Sequence, residues 1–570
     1  MNKKDVIKVL ETIAVYMEIK GENPFKISAY RKAATALEQD ERTLDEISDP
    51  TKLKGIGKGT GEVILELKEH GTSSLLTELQ DELPEGLISL LKIPGLGGKK
   101  IGKLYQELQI DDMESLKQAC IEKKVQKIAG FGKKSEENIL AAIEEVGVRP
   151  ERLSLAFVLS IAEQIEQQLS QMKAVEEFSR AGSLRRLRET VKDLDFIIAT
   201  SEPDVVREQL LALENVSSII ANGPTKVSVE LAYSYPINVD FRLVEKASFA
   251  TTLHHFTGSK EHNVKMRQLA KERGEKISEY GVENVKTGEL KTFTSEATFF
   301  NHFGLHYIPP EAREDQGEVE LFREAEPLVE LADIKSDLHM HTTWSDGAYS
   351  IADMAEAAIK RGYSHIVITD HSQFLRVANG MTEKRLREQM EEIQTLNEQY
   401  TDFKIYTGIE MDILPDGTLD YADALLSELD FVIASIHSSF QQDEETIMKR
   451  LETALRNKHV DLIAHPTGRL IGRRDGYKVN VERLIELAAE TKTALELNAN
   501  PHRLDLSPHW LKKAQQAGVP IAINTDAHRF ETLHHMEIGV GVARKGLIRK
   551  ETVINTWSKE KFEQFLQRYE

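Results

Sequence analysis

From Ile334 to Glu570, short β-rich runs alternate with helical stretches, and the runs end on a small set of residue types. The runs are SDLHMH, HIVITD, IYTGIE, FVIASIH, VDLIAHP, ALELNAN and VPIAINTD. Seven such runs with helices between them predict a seven-stranded α/β barrel or a close relative of one. A barrel of this kind builds its site from the C-terminal ends of its strands. There the sequence carries His339 and His341 flanking Met340, Asp346 in WSDG, His371, Glu410, His437, His465, and Asp526 with His528 in NTDAH. A lone histidine is more often a core or surface residue than a ligand, but nine such side chains at strand ends exceed what packing requires. The chain has a single cysteine, Cys120, which excludes an intrachain disulfide and a thiolate zinc cluster. Any metal is therefore held by imidazole and carboxylate, a donor set that suits Mn²⁺, Zn²⁺ or Fe, and nine ligands suffice for three ions.

A chain of 570 residues is too long for one core, so several folding units are expected. The N-terminal stretch carries Lys3, Lys4, Asp5, Lys8 and Glu11 and has no uninterrupted apolar run, which predicts a cytoplasmic protein without a membrane partner. Residues 1–150 read as short helices broken by glycines, with one feature in three copies: LKGIGKGTGEVI from Leu53, IPGLGGKKIGKL from Ile93 and IAGFGKKSEENI from Ile128. Each places a Gly-x-Gly turn (Gly55 and Gly57, Gly95 and Gly97, Gly130 and Gly132) before a helical pattern. One copy would pass for a helix-helix turn. Three copies, with Lys58, Lys99, Lys100, Lys133 and Lys134 beside them, point to phosphate binding by backbone N–H groups at helix N-termini. The net charge of −20 is at odds with a nucleic-acid partner, whose affinity comes largely from cations on phosphates. Residues 1–150, however, hold 23 Lys and Arg against 26 Asp and Glu, so the acidity lies elsewhere and the grip is local.

Between these regions, AGSLRRLRETVKDLDFIIAT sets Gly182-Ser183 ten residues ahead of Asp193 and places Asp195 on the same strand face as Asp193. With Asp240 from PINVDFRLV as a third carboxylate, these residues can hold two divalent ions, Mg²⁺ or Mn²⁺, one acting on a hydroxyl and one on a triphosphate.

Taken with AYRKAA at Ala29 and HFTGSKEHN at His255, residues 1 to about 315 resemble the family X DNA polymerases, the polymerase beta-like family, and the glycine turns resemble helix-hairpin-helix motifs. That resemblance implies that Gly182, Ser183 and Arg186 contact a triphosphate, that Asp193, Asp195 and Asp240 are catalytic, and that Phe256, Gly258 and Asn263 line the nucleotide. It also implies that Lys26 and Tyr30 meet a downstream 5′-phosphate. At His255 the chain departs from the family's Tyr-Phe pair, which puts sugar discrimination in doubt. Eight residues after Gly55, where the family's deoxyribose phosphate lyase has its lysine, stands Val63, which has no amine to form a Schiff base. Residues 335–570 resemble the PHP (polymerase and histidinol phosphatase) family at all nine ligand positions.

The expected architecture is multidomain α and α/β: helical segments at 1–90 and 91–150, a nucleotidyltransferase palm at 151–245, a thumb at 246–320 and a PHP barrel at 333–570. The resemblance implies a template-directed polymerase that fills short gaps bearing a 5′-phosphate from deoxynucleoside triphosphates in DNA repair. A 3′–5′ exonuclease in the PHP domain, no lyase activity and a monomeric state complete the expectation. Alternatives are a PHP domain that cuts abasic sites or acts as a small-molecule phosphatase, and a noncatalytic DNA-end scaffold. Clustered unpaired carboxylates argue against the scaffold, because they are costly unless a cation is bound.

Overall fold

The computed structural model describes residues 3–40, 44, 47–84, 86–93, 96–146, 151–324 and 328–568. Two compact units are present, Met1–Glu151 and Arg152–Glu570.

The first unit is helical. Helix α1 spans Lys3–Lys20, and α2 spans Pro24–Gln39. Asn23 caps α2 by accepting the Phe25 N–H at 2.9 Å, with Pro24 at the first helical position, where the missing N–H costs nothing. The three glycine turns open α3 (Lys58–His70), α4 (Gly98–Leu108) and α5 (Lys133–Val146). Gly55 and Gly130 take φ of +108° and +95°, a region that a side chain disfavours. Gly102 lets α4 approach α1 closely, since a Cβ there would lie 2.4 Å from the Ile19 carbonyl oxygen. One hydrophobic core runs from Val6 to Ile143, so the segments expected at 1–90 and 91–150 pack as a single body.

In the second unit a helix over Leu155–Ser170 leads into a five-stranded sheet. Its strands are β1 (Glu177–Arg180), β2 (Asp193–Ala199), β3 (Val216–Asn222), β4 (Lys226–Leu231) and β5 (Ile237–Val244), in the order β1-β2-β5-β4-β3. A one-turn helix, α6 (Gly182–Arg185), connects β1 towards β2. Along β5, Ile237, Val239, Phe241 and Leu243 are buried and alternate with Asn238, Asp240 and Arg242. Then come α7 (Phe249–Thr257), α8 (Lys260–Glu272) and α9 (Glu296–His302), around a separate aromatic-rich core.

All seven predicted runs form strands: β6 (Ser336–Asp337), β7 (His365–Ile368), β8 (Lys404–Asp412), β9 (Phe431–Ser435), β10 (Leu462–Ile463), β11 (Ala494–Asn498) and β12 (Ile521–Asn524). They pair in parallel in sequence order. Almost every strand residue is buried, as expected when both faces of a parallel sheet are covered. A parallel bridge from Met340 to Ala527 and a hydrogen bond from Thr525 to Asp337 join the first strand to the last, so the barrel is nearly closed. Helix α10 (His535–Lys545) packs on its outside. Among the described residues no helix is long and apolar enough to cross a membrane.

Candidate active sites

The parallel register of β2 and β5 sets Asp195 beside Asp240 and Asp193 beside Asn238. Three carboxylates therefore share one face of the sheet, although among the described residues the groups with ligand atoms within 4.8 Å of one another all lie in the barrel. Burial, together with Asp193 and Asp240, pushes the Asp195 carboxyl up to about 7. Like charges held this close disfavour full ionisation of the cluster. Lys226 lies 2.6 Å from Asp240, and it and Arg242 supply counter-charge to the cluster. Gly182, at φ +59°, abuts the same aspartate: a Cβ there would sit 2.2 Å from Asp195 Oδ2. The family resemblance implied a triphosphate contact for this glycine and gave no sign of its contact with the carboxylate.

The expected nucleotide contacts are not all free. Arg186 donates through Nε to Glu314 at 3.2 Å and through Nη1 to the Thr257 carbonyl, immediately before Gly258. Its neighbour Arg185 is held by Glu296, which Arg313 also engages. The Ser183 carbonyl accepts the Arg188 N–H at 3.0 Å. Phe256 lies under the Arg242 guanidinium, 4.5 Å from ring centroid to Cζ. Asn263 donates its amide to the His255 carbonyl at 2.8 Å, which leaves Oδ1 buried and without a partner. Burial lowers the His255 imidazole below its ordinary value, so at neutral pH this position is uncharged.

In the helical unit, Gly57 and Gly97 stand at the N-caps of α3 and α4, and Gly132 immediately precedes α5. Gly95 lies outside the described residues. Lys58, Lys99, Lys133 and Lys134 are exposed beside these turns. Lys26 is exposed on α2, whereas Tyr30, one turn later, is buried in the helical core. Val63 faces that core at 8 % exposure.

In the barrel, the nine ligand candidates come together. His339 and His341 follow β6, His371 follows β7, His437 follows β9, His465 follows β10, and Asp526 and His528 follow β12. Asp346 comes from the loop after β6, and Glu410 sits inside β8 rather than beyond it. Three overlapping groups have their ligand atoms within 4.8 Å of one another: His341, Asp346, His371 and His528; His339, His341 and Asp526; and His371, Glu410 and His437. His465 joins none of the three, but its Nε2 lies 2.9 Å from Glu410 Oε1. The site opens into a cavity of about 310 Å³ that Leu375, Val377, Ala378 and Arg503 also line.

The donor set fits divalent cations. Buried ring nitrogens of His339, His341 and His371 have no hydrogen-bond partner, an expensive condition unless a cation is bound there. Against the effect of burial, Glu410 and Asp412 hold His437 up at about 10, and Asp346 and Asp526 hold His528 up at about 9. Burial and the neighbouring His528 and His371 drop His341 to about 3. The carboxylates thus keep protons on two imidazoles where cations would otherwise neutralise them.

Two supporting carboxylates escaped the sequence reading. Glu496, fully buried on β11, lies 2.7 Å from His339 Nδ1 and accepts the His465 N–H at 2.7 Å. Asp412 lies 3.3 Å from His437 Nδ1. Both orient imidazoles from behind. Their signal was present in ALELNAN and in the end of IYTGIEMD, where an acidic residue interrupts an otherwise apolar strand.

Comparisons with known proteins agree with this layout. Residues 1–73 match the helix-hairpin-helix domain, 87–145 the SAM-like helix-hairpin-helix tandem, 252–314 the DNA polymerase beta thumb and 337–500 the PHP domain. Over 568 residues, covering all of both chains, the sequence is 63 % identical to the DNA polymerase/3′-5′ exonuclease PolX of Bacillus subtilis (strain 168). The chain belongs to the PolX family. Its barrel is also similar to free-standing proteins. A probable phosphatase of Thermoanaerobacter sp. (strain X514) is 30 % identical over 231 residues, covering 39 % of this chain and 89 % of the phosphatase. A probable phosphatase of Caldanaerobacter subterraneus is 28 % identical over 242 residues, covering 40 % and 90 %. The PolX-family chain therefore carries, at its C-terminal end, a module that elsewhere stands alone.

Proposed function

We propose that this chain fills short DNA gaps bearing a 5′-phosphate, with a palm at 151–245 adding nucleotides, a thumb at 246–320, and a PHP barrel at 333–570 trimming 3′ ends. It is a DNA polymerase and 3′–5′ exonuclease, as its whole-length identity to a PolX implies. The observation that carries the reading is the side-by-side register of Asp195 and Asp240 with Asp193 on the same face. Divalent cations held there, Mg²⁺ or Mn²⁺, would activate a primer 3′-hydroxyl and neutralise a triphosphate. Around them, Gly182 packs directly against Asp195, Arg186 offers charge to the triphosphate, and Phe256 and Asn263 border the nucleotide. In the barrel, Mn²⁺ or Zn²⁺ held by up to three ligand groups would activate water and polarise a phosphodiester. There Glu496 and Asp412 fix the imidazoles, and Arg503, 3.8 Å from Asp526, faces the cavity where a phosphate would enter.

Gap recognition is supported by three helix N-termini with exposed lysines beside them and by exposed Lys26. The absence of lyase activity is supported by Val63, which is apolar and turned inward, and by Lys68, which donates to the Ile47 carbonyl at 3.2 Å. The test is primer extension on gapped DNA with and without a 5′-phosphate, in Mg²⁺ and in Mn²⁺, scoring lengthened and shortened primers. Asp193→Ala and Asp195→Ala are expected to abolish lengthening while DNA binding survives. Extension within about tenfold of wild type by either variant, well short of the loss expected for a metal ligand, would remove the palm assignment.

A further inference from the structure

Helix α10 belongs to the barrel, yet it is seated against the nucleotide loop of the palm. A Cβ at Gly541 would lie 2.3 Å from Leu187 Cδ1, so the contact is as close as glycine permits. Four residues on, the Lys545 amine donates to the Arg186 carbonyl and to Glu314 Oε1, each at 2.8 Å. Glu314 Oε1 also accepts Arg186 Nε at 3.2 Å, and Glu314 Oε2 lies 3.5 Å from Arg188. Lys545 and Glu314 are each about 10 % exposed, and Arg186 is scarcely more.

This arrangement is more than adhesion between domains. Docking alone needs apolar contact, and burying an ammonium group costs more than burying a methylene chain of the same length. Both hydrogen bonds of the amine cross to polymerase residues: one goes to the backbone of Arg186, the other to the carboxylate that aims its guanidinium. Counting the adjoining Arg185, Arg313, Arg544, Glu296 and Glu311, six cations surround three carboxylates here. The surplus positive charge lies beneath the loop expected to receive a triphosphate, and two of the six cations, Arg544 and Lys545, come from the barrel.

We infer that Lys545 is a positioning residue of the polymerase site: through Glu314 and the Arg186 carbonyl it presents the Arg186 guanidinium to the triphosphate, so nucleotide affinity in the palm depends on the PHP barrel. This rests on the reading of Arg186 as a triphosphate contact. It makes the barrel a structural part of a reaction performed in another domain.

The test uses the full chain and single-nucleotide insertion on gapped DNA. Lys545→Met is expected to raise the KM for the deoxynucleoside triphosphate roughly tenfold, the order of effect for a residue acting through a neighbour, while DNA affinity and 3′ trimming stay at wild-type levels. Lys545→Arg, which keeps the charge and the donors, is expected to restore most of the affinity. In an Arg186→Ala background, Lys545→Met is expected to add nothing, because its effect passes through the arginine. An unchanged KM in a Lys545→Met protein that still trims, or an undiminished effect in the Arg186→Ala background, would overturn the inference. Should Lys545→Met also lose trimming, Glu314→Gln carries the same comparison with the barrel side chains intact. A raised KM that vanishes with Arg186→Ala supports the inference, and an unchanged KM defeats it. Wild-type protein that fails to extend any primer would instead defeat the reading of the palm itself.

Discussion

Replacing Gly182 with alanine separates the two chemistries by a single methyl group. The position has φ +59°, which costs an L-residue about 1–2 kcal/mol, and the new Cβ would lie 2.2 Å from Asp195 Oδ2. Ordinary contact begins near 3.4 Å, so the carboxylate oxygen or the loop must move by about 1 Å. The fold absorbs this cheaply, because the obstructing atom is the tip of a side chain, and a melting shift of no more than a few degrees is expected. The chemistry does not absorb it. A displacement of about 1 Å at a reacting centre costs on the order of a hundredfold, so Gly182→Ala should lose primer extension by about that factor. Trimming should be untouched, since the barrel ligands lie on other strands. Steady-state extension, thermal melting and 3′ trimming on one preparation give all three readouts. Extension within about tenfold of wild type, against the hundredfold argued from geometry, would show that the glycine does not hold Asp195 in register.

The two sites should also part under substitution: His339→Ala combined with His341→Ala removes 3′ trimming and leaves gap filling, and persistent trimming would place the nuclease elsewhere. Asp195, whose pKa is raised to about 7, favours the folded state when protonated. Its contribution is therefore full below about pH 4 and is lost as pH rises towards 7, where a cation replaces the proton. In the His339→Ala, His341→Ala background, Mn²⁺ titration of the palm should accordingly be roughly tenfold weaker at pH 6 than at pH 8, and a pH-independent affinity would contradict this. Borohydride trapping on incised abasic DNA should give no covalent adduct, and an adduct formed as efficiently as with a lyase-competent polymerase would refute the argument from Val63.

The barrel was legible because its strands are punctuated: every apolar run except ALELNAN stops at or near a candidate ligand, and periodicity and chemistry mark the same boundary. In the palm, alternation alone placed Asp193 and Asp195 on one face, and the register later set Asp240 beside them. The glycine turns were legible as helix starts, because Gly57 and Gly97 do cap helices. Tyr30 shows where position along a helix ceases to inform. It shares a face with Lys26 but lies in the core, and only packing decides that. Glu496 and Asp412 were within reach, since a charge inside a fully apolar strand needs a partner. Lys545 and Glu314 were not. They lie 231 residues apart, each is an ordinary charged residue in its own segment, and only the docking of α10 on the palm loop gives them a common task.

The barrel's first and last strands meet through few backbone links, yet the ligands concentrate on that seam. Asp337 and Thr525 are joined across 188 residues of chain, and just beyond them His339 and His341 face Asp526. A cation shared by these three side chains would act as a latch, fastening the start of the barrel to its end as a crosslink does in a long loop. Because the ligands converge only when the seam is shut, the ion's affinity and the closure of the barrel are two sides of one equilibrium. Chelation should then loosen the cylinder at β6 and β12 well before it disturbs the strands opposite.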